Sequence, residues 1–162
     1  MATAASALAI AALALSAAGC ARGDADTATA TTTQLLPVTI TGPGGTNVFK
    51  VEVAGTVEKQ AQGLMYRTDL PRDGGMLFWP YPPGGGPPRA ASFWMKNTPT
   101  PLDILFIRAD GTIARIAENT IPFSEEQVMS GEPVAAVLEL VGGRAAELGI
   151  AEGDRVTWPG RR

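Results

Sequence analysis

Two apolar runs near the middle of the chain, residues 93–95 and 104–107, place the strongest constraint on its fold. The polar connection between them holds Lys96, Asn97 and Asp103 together with two prolines. Short continuous apolar runs are typical of buried strands, and proline interrupts regular structure. We therefore predict two strands packed side by side, with the bend between them presenting its charged groups at the mouth of a cavity.

The rest of the chain also predicts short strands separated by Gly- and Pro-rich turns. Strands are predicted at 38–41, 47–54, 75–79, 112–119, 133–141 and 150–158, with short helices at 56–65 and 143–148. Residues 80–88, with five prolines and three glycines, predict an exposed loop, and residues 120–132 look irregular. This pattern predicts a mostly β fold, a compact antiparallel β sandwich or barrel with one or two short helices.

The composition excludes several classes of function. The 162 residues include no histidine and a single cysteine, Cys20. Nucleophilic triads that need histidine, zinc or copper sites made of His and Cys, and an internal disulfide are therefore excluded. The 13 basic and 16 acidic residues give a net charge of −3. The chain therefore lacks the excess of basic residues that is typical of a nucleic-acid-binding protein. We expect no cofactor, no metal and no nucleic-acid partner.

The N-terminal segment predicts export. Residues 1–19 form an uncharged, Ala-rich apolar run that ends in small residues before Cys20, which resembles a lipoprotein signal peptide. Residues 20–36 are mostly Ala, Thr and Asp and predict a disordered tether, so residues 37–162 would form a single β-rich domain. We expect a periplasmic or outer-membrane lipoprotein of the cell envelope, held to the membrane through lipidated Cys20. A plain secretory signal is the alternative.

Several motifs occur in a recognisable order along residues 48–158. They are Gly-Leu-Met-Tyr-Arg at 63–67, Gly-Met-Leu-Phe at 75–78, Ser-Phe-Trp-Met-Lys-Asn-Thr at 92–98, Pro-Leu-Asp-Ile at 101–104, and Gly-Ile at 149–150 with Gly153, Asp154 and Val156. With these motifs the chain resembles the bacterial and archaeal family called domain of unknown function 192. The resemblance implies a small β-rich domain, often exported or lipid-anchored, and implies no established activity. The chain departs from the family pattern at 80–88, where its connection is longer and richer in Pro and Gly.

The candidate ligand-binding residues are Arg67, Lys96, Asn97 and Asp103. Arg67 is the charged residue at the end of the Gly-Leu-Met-Tyr-Arg motif, whose other residues are of the types found in protein cores. Together an arginine fork, a lysine charge and an amide would bind a small polar or anionic ligand or an envelope partner. The alternative is structural: Asp103 would hold turn amides or pair with Arg67 or Lys96, and Asn97 would cap the turn.

Glu139 is the carboxylate that interrupts an apolar strand. Desolvation would raise its pKa, so that Glu139 and Asp103 could form the dyad of a hydrolytic enzyme. The expectation for a buried charge is instead a salt bridge, here to Arg67 or Lys96. We therefore expect a binding domain rather than an enzyme. A purely structural envelope protein remains a further alternative. Trp94 is expected to pack in the core.

Overall fold

A computed structural model describes residues 34–161 of the chain. The predicted signal peptide 1–19, Cys20 and the tether as far as residue 33 lie outside the described residues. Within residues 34–161, no helix is both long enough and apolar enough to cross a membrane.

Nine strands and two short helices follow one another within residues 34–161. Their bounds are β1 Leu36–Gly42, β2 Gly45–Ala54, α1 Val57–Gln62, β3 Gly75–Phe78, β4 Arg89–Phe93, β5 Leu102–Ile107, β6 Ile113–Ala117, β7 Val128–Val134, β8 Ala136–Val141, α2 Arg144–Leu148 and β9 Arg155–Thr157. The mostly β fold class with short helices is confirmed. The sequence also predicted β1, β2, β3 and both helices close to where they lie.

Seven of the strands form one sheet in the order β6-β5-β8-β3-β2-β1-β9, in which only β2 and β3 pair in parallel. The two edges of this sheet meet, because Thr112 forms a bridge with Arg155 just before β6. The backbone amide of Ile113 donates to the carbonyl of Asp154 at 2.9 Å, and that of Val156 donates to Gly111 at 2.8 Å. The sheet therefore nearly closes into a barrel, which leaves few unpaired strand edges.

Two apolar clusters lie on the two faces of this barrel wall. The first fills the interior and includes Phe49, Leu77, Leu105, Leu138 and Val156. The second covers the outer face and includes Phe78, Ile104, Phe106 and Val137, together with Ala91 and Val134 of a separate two-stranded sheet, β4-β7. The fold is thus a small barrel with one flank covered by a β ribbon and by the segment that contains α1.

The prediction that the two central apolar runs pair side by side is wrong. Strand β4 pairs with β7 in the two-stranded sheet, whereas β5 lies between β6 and β8 in the barrel. All six residues of β5 are buried, so this strand needs a hydrogen-bonded neighbour on each edge, and only the barrel supplies two. The two runs meet face to face instead, with the rings of Phe93 and Phe106 6.1 Å apart.

Residues 120–132 are less irregular than predicted. Strand β7 begins at Val128 and continues to Val134, and β8 begins at Ala136, so the single strand predicted at 133–141 is two strands. Gly131 and Pro133 lie within β7. Both residues are poor strand formers, and they obscured the alternation that would have indicated the strand.

Candidate functional site

A cavity of about 330 Å³ lies between the barrel's outer face, α1 and β4. Phe78 of β3 and Glu139 of β8 come from the barrel wall, and Tyr81 and Pro83 come from the Pro/Gly-rich loop. Its other lining residues come from α1 and the turn after it, from β4, and from the connection that follows β4. Three of these are Gln60, Ser92 and Thr98. The cavity is enclosed because two segments, the one that contains α1 and the one that contains β4, leave the barrel on the same flank.

Glu139 is the buried carboxyl of this cavity. It is only 4% exposed, and among the described residues no hydrogen-bond partner lies near its Oε2 atom. Burial alone raises the pKa of Glu139 to about 8, so the side chain is mostly protonated at neutral pH. A buried, perturbed carboxyl that lines a cavity is a typical sign of a functional site.

The salt bridge expected for Glu139 is not formed. Arg67 pairs with Glu52 at 2.7 Å and with Asp69 at 2.9 Å. These two carboxylates raise the pKa of the Arg67 guanidinium. Lys96 pairs with Glu125 at 3.7 Å. Both cations expected to neutralise Glu139 therefore face other acids.

Gln60 places a second unpartnered oxygen at the cavity. Its Nε2 donates to the carbonyl of Ala54 at 2.9 Å and to that of Pro80 at 2.8 Å. These two acceptors fix the orientation of the amide, because the oxygen could not take the position of the NH₂ group. The Oε1 atom is buried without a partner among the described residues.

Local sequence signals position α1 over the cavity. Thr56 caps the helix, since its hydroxyl accepts from the backbone amide of Lys59 at 3.2 Å. Gly63 ends the helix with a φ of +51°, and a Cβ atom there would lie 3.2 Å from Cζ of Phe78 and 4.0 Å from Oε2 of Glu139. This close approach brings the end of α1 next to the Phe78 ring and the Glu139 carboxyl.

Aromatic rings form much of the cavity wall. Phe93 stacks edge-on against Phe78 at 5.0 Å and lies 6.0 Å from Tyr81. Trp94 also lines the cavity but is 42% exposed, so the expectation that it packs in the core is wrong. A cation–π contact with Lys96 accounts for the exposed position of Trp94, because the Lys96 Nζ lies 5.0 Å from the Trp94 ring centroid.

The connection after β4 is held against the turn after α1. The backbone amide of Tyr66 donates to the carbonyl of Asn97 at 2.8 Å, and the hydroxyl of Thr100 donates to the carbonyl of Arg67 at 2.8 Å. Tyr66 and Asn97 both adopt positive φ angles, +64° and +55°. The sequence correctly brought Arg67 and Asn97 into one neighbourhood.

Asp103 lies apart from this neighbourhood. It is fully buried, and its carboxylate accepts hydrogen bonds from the backbone amides of Asn119, Gly143 and Ala145. The structural alternative, in which Asp103 holds turn amides, is confirmed. In the barrel Asp103 pairs with Leu140, whereas Ile104 pairs with Glu139.

Asp103 and Glu139 therefore project from opposite faces of the barrel wall, because side chains alternate along a strand. A hydrolytic dyad of these two carboxylates is excluded by this arrangement. Among residues 34–161, no group of three or more His, Cys, Asp or Glu side chains could hold a metal ion.

None of the four described residues predicted to bind ligand lines the 330 Å³ cavity. Arg67 instead lines a smaller cavity of about 220 Å³, to which Gln62, Gly63 and Met65 also contribute. The sequence did not indicate Gln60, Ser92 and Thr98, because isolated polar residues in a helix, a strand or a loop carry no signal that separates a cavity wall from a solvated surface. Glu139 did carry a signal, as an acid within an apolar strand.

A comparison with known protein families identifies the family of this chain. The family model for domain of unknown function 192 (DUF192), described as an uncharacterized ACR, matches residues 38–158. The chain belongs to this family. No curated protein matches it.

Two solved structures share the DUF192 fold with this chain. A protein of unknown function from Novosphingobium aromaticivorans is 46% identical, with a TM-score of 0.72, over 76% of this chain and 85% of that one. A proposed transcription regulator from Sinorhizobium meliloti is 44% identical, with a TM-score of 0.71, over 76% of this chain and 93% of that one. These relatives support the barrel described above.

Proposed function

We propose that this chain is an exported, lipid-anchored domain of the cell envelope that binds a small polar ligand in the cavity above Glu139. The observation that carries the proposal is a buried, unpartnered carboxyl in a cavity of about 330 Å³. An unpaired buried polar group costs about 1–3 kcal/mol, and a ligand that pairs with it recovers that cost. Stability alone would favour an apolar residue at this position.

The four residues predicted from the sequence take supporting roles in this proposal. Lys96 lies against Trp94, a wall of the cavity. Arg67 and Asn97 hold the turn after α1 against the connection after β4. Asp103 holds one end of the barrel. An anionic ligand is less well supported than the sequence suggested, because the cavity presents an acid, and Arg67 and Lys96 are paired with other acids.

The proposed location outside the cytoplasm rests on the sequence. Residues 1–19 followed by Cys20 resemble a lipoprotein signal peptide, and residues 20–36 have the composition of a tether. Expression of the full chain and of Cys20→Ser in an outer-membrane bacterium tests this part. We expect the natural chain in the membrane fraction with an acylated N-terminal cysteine, and the variant in the periplasmic fraction. Equal amounts of both in the cytoplasm would contradict export.

A thermal-shift screen of small envelope metabolites on the purified full chain tests ligand binding. Ala61→Phe is the blocking variant, because Ala61 is exposed on α1 and lines the cavity. Glu126→Gln, which alters an exposed carboxylate elsewhere, is the matched control. We expect hits that stabilise the natural chain and Glu126→Gln by several degrees but leave Ala61→Phe unchanged.

Two outcomes would contradict the proposal. Compounds that bind Ala61→Phe normally but no longer bind Lys96→Ala or Arg67→Ala would place the site at the 96–103 connection. If no compound in a broad screen stabilises the chain, the structural alternative stands, in which the motif residues only hold the fold. A role in DNA binding, suggested by the name of the Sinorhizobium structure, is disfavoured by the net charge of −3.

A further inference from the structure

The two cavity residues with unpartnered buried polar atoms, Gln60 and Glu139, both leave an oxygen unpaired. The Gln60 oxygen can only accept a hydrogen bond. The Glu139 carboxyl accepts through both oxygens once it is ionised. Once Glu139 is ionised, these two lining residues therefore carry oxygens that can accept hydrogen bonds from a ligand.

Two of the hydroxyl groups that line the cavity already donate elsewhere. Thr98 donates to the carbonyl of Lys96 at 3.2 Å, and Ser92 donates to the side chain of Gln127. Both N–H groups of Gln60 are also used, on Ala54 and Pro80. These three side chains can offer a ligand only lone pairs.

We propose, building on the proposed function, that the ligand is an organic cation whose ammonium or guanidinium group binds Glu139 and Gln60. Its apolar part lies against Phe78, Tyr81 and Phe93. Ammonium and guanidinium groups donate hydrogen bonds and accept none, which matches the unpaired oxygens of Gln60 and of the ionised Glu139. A sugar or polyol fits less well, because its hydroxyl groups carry no charge to pair with the carboxylate. Aromatic faces attract cations as well.

Binding of such a cation is coupled to proton release. The neutral Glu139 carboxyl gives its proton to solvent, and the ligand's positive charge then pairs with the carboxylate that forms. Burial raises the pKa of Glu139 to about 8, so the free protein holds this proton at pH 6–7. Binding then releases one proton for each cation bound.

The ionisable groups around Glu139 would not mask the release of this proton on binding. Its neighbours in register on β3 and β5 are Met76 and Ile104, which do not titrate. The residues of α1 that line the cavity are uncharged. Arg89 and Tyr81 are the other ionisable lining residues among those described, and the Arg89 guanidinium lies 5.8 Å from the Tyr81 ring. Arg89 is exposed.

Isothermal titration of the purified full chain with benzylamine tests the inference. Benzyl alcohol and phenylacetate serve as neutral and anionic probes of similar shape. We expect benzylamine alone to bind, with an association constant that rises about tenfold per pH unit between pH 6 and 7 and levels above about pH 8. Titrations at pH 6.5 in buffers of different ionisation enthalpy should show about one proton released. Glu139→Gln should lose the pH dependence and most of the affinity.

Each other outcome overturns the inference. If benzyl alcohol or phenylacetate binds as tightly as benzylamine, the assignment to a cation is wrong, although the cavity remains a ligand site. The same holds if benzylamine binds with an affinity that does not change from pH 6 to 8. If none of the three probes binds, the cation assignment falls, and the metabolite screen with Ala61→Phe decides the proposed function separately.

Discussion

The Oδ2 atom of Asp103 accepts a hydrogen bond from the backbone amide of Ala145 at 2.7 Å. Its Oδ1 atom accepts from the amides of Asn119 and Gly143, at 2.7 and 2.8 Å. One fully buried carboxylate thus joins the start of β5 to the turn after β6 and to the first turn of α2. Its hydrogen bonds hold three segments that are distant in sequence.

Asp103→Asn should destabilise the fold by about 3 kcal/mol. Asparagine has a single side-chain oxygen, so its NH₂ group would face at least one of the backbone amides of Asn119, Gly143 and Ala145. Hydrogen bonds to a charged group contribute about 1.5–3 kcal/mol, and a buried amide left unpaired costs about 1–3 kcal/mol more. Urea unfolding at neutral pH, followed by far-UV circular dichroism, measures the change.

Asp69→Asn is the matched control for this substitution. Asp69 pairs with Arg67, but its side chain is 75% exposed, so its loss should lower the stability far less than the loss of Asp103. A variant Asp103→Asn as stable as the natural chain would show that the three amides find other partners. Loss of ligand binding at unchanged stability would instead return Asp103 to the binding site.

Asp103 and Glu139 show what sequence could and could not reveal. Each is an acid within an apolar strand, and sequence alone made both candidates for one dyad. Strand register separates them, because Asp103 is opposite Leu140 and Glu139 is opposite Ile104. Register between β5 and β8 depends on pairing across the intervening residues 108–135. Local alternation does not encode it.

The same reason accounts for the error at β4 and β5. Local pattern correctly identified β5 and a short helix at α1, whereas the run 93–95 shares only Phe93 with β4. Which strands become neighbours was decided by distant partners, β7 for β4 and β8 for β5. The cavity arises from that choice, so its lining residues could not be read from one stretch of sequence.

Thr56→Ala should destabilise the fold by about 1 kcal/mol. The Thr56 hydroxyl accepts from the amide of Lys59, and an alanine cap leaves that amide to water. Since α1 has only six residues, its first turn is a large part of the helix. Thr56→Ser keeps the hydroxyl and should retain most of the stability in urea unfolding. Equal losses for serine and alanine would mean that the methyl group matters more than the cap.

Gly63→Ala should destabilise the fold by about 1–3 kcal/mol and weaken binding in the cavity. The φ of +51° and ψ of −135° at Gly63 suit glycine alone. The new methyl group would also lie 3.2 Å from Cζ of Phe78, so that this cavity-lining ring would have to shift. Thermal unfolding of the full chain measures the loss.

Gly55→Ala is the control for this position. Gly55 lies just before the helix cap, and a Cβ there would make only an ordinary contact, 3.5 Å from the carbonyl of Trp79. Its expected change in stability is within about 1 kcal/mol. Equal effects at the two glycines would contradict the specific role of Gly63, because only Gly63 combines a positive φ with contact to the cavity.

Glu139 should make the fold less stable as the pH rises from about 4.5 to about 8. Its pKa in the folded chain is about 8, above the ordinary value of 4.5, so between these values the folded chain holds a proton that the unfolded chain releases. This contribution to stability is complete below pH 4.5 and is lost towards pH 8. The slope reaches about 1.4 kcal/mol per pH unit. Urea unfolding at pH 5, 6, 7 and 8 measures it.

Glu139→Gln isolates this effect, because glutamine resembles the protonated acid and does not titrate. The variant should match the natural chain near pH 5 and exceed its stability at pH 8 by several kcal/mol. Exposed carboxylates whose pKa is lowered, such as Asp69 and Asp110, are already ionised across this range and add no slope. Parallel curves for the two proteins would mean that Glu139 is solvated or paired in the folded chain, and the cavity would then lose the unpartnered acid on which its ligand depends.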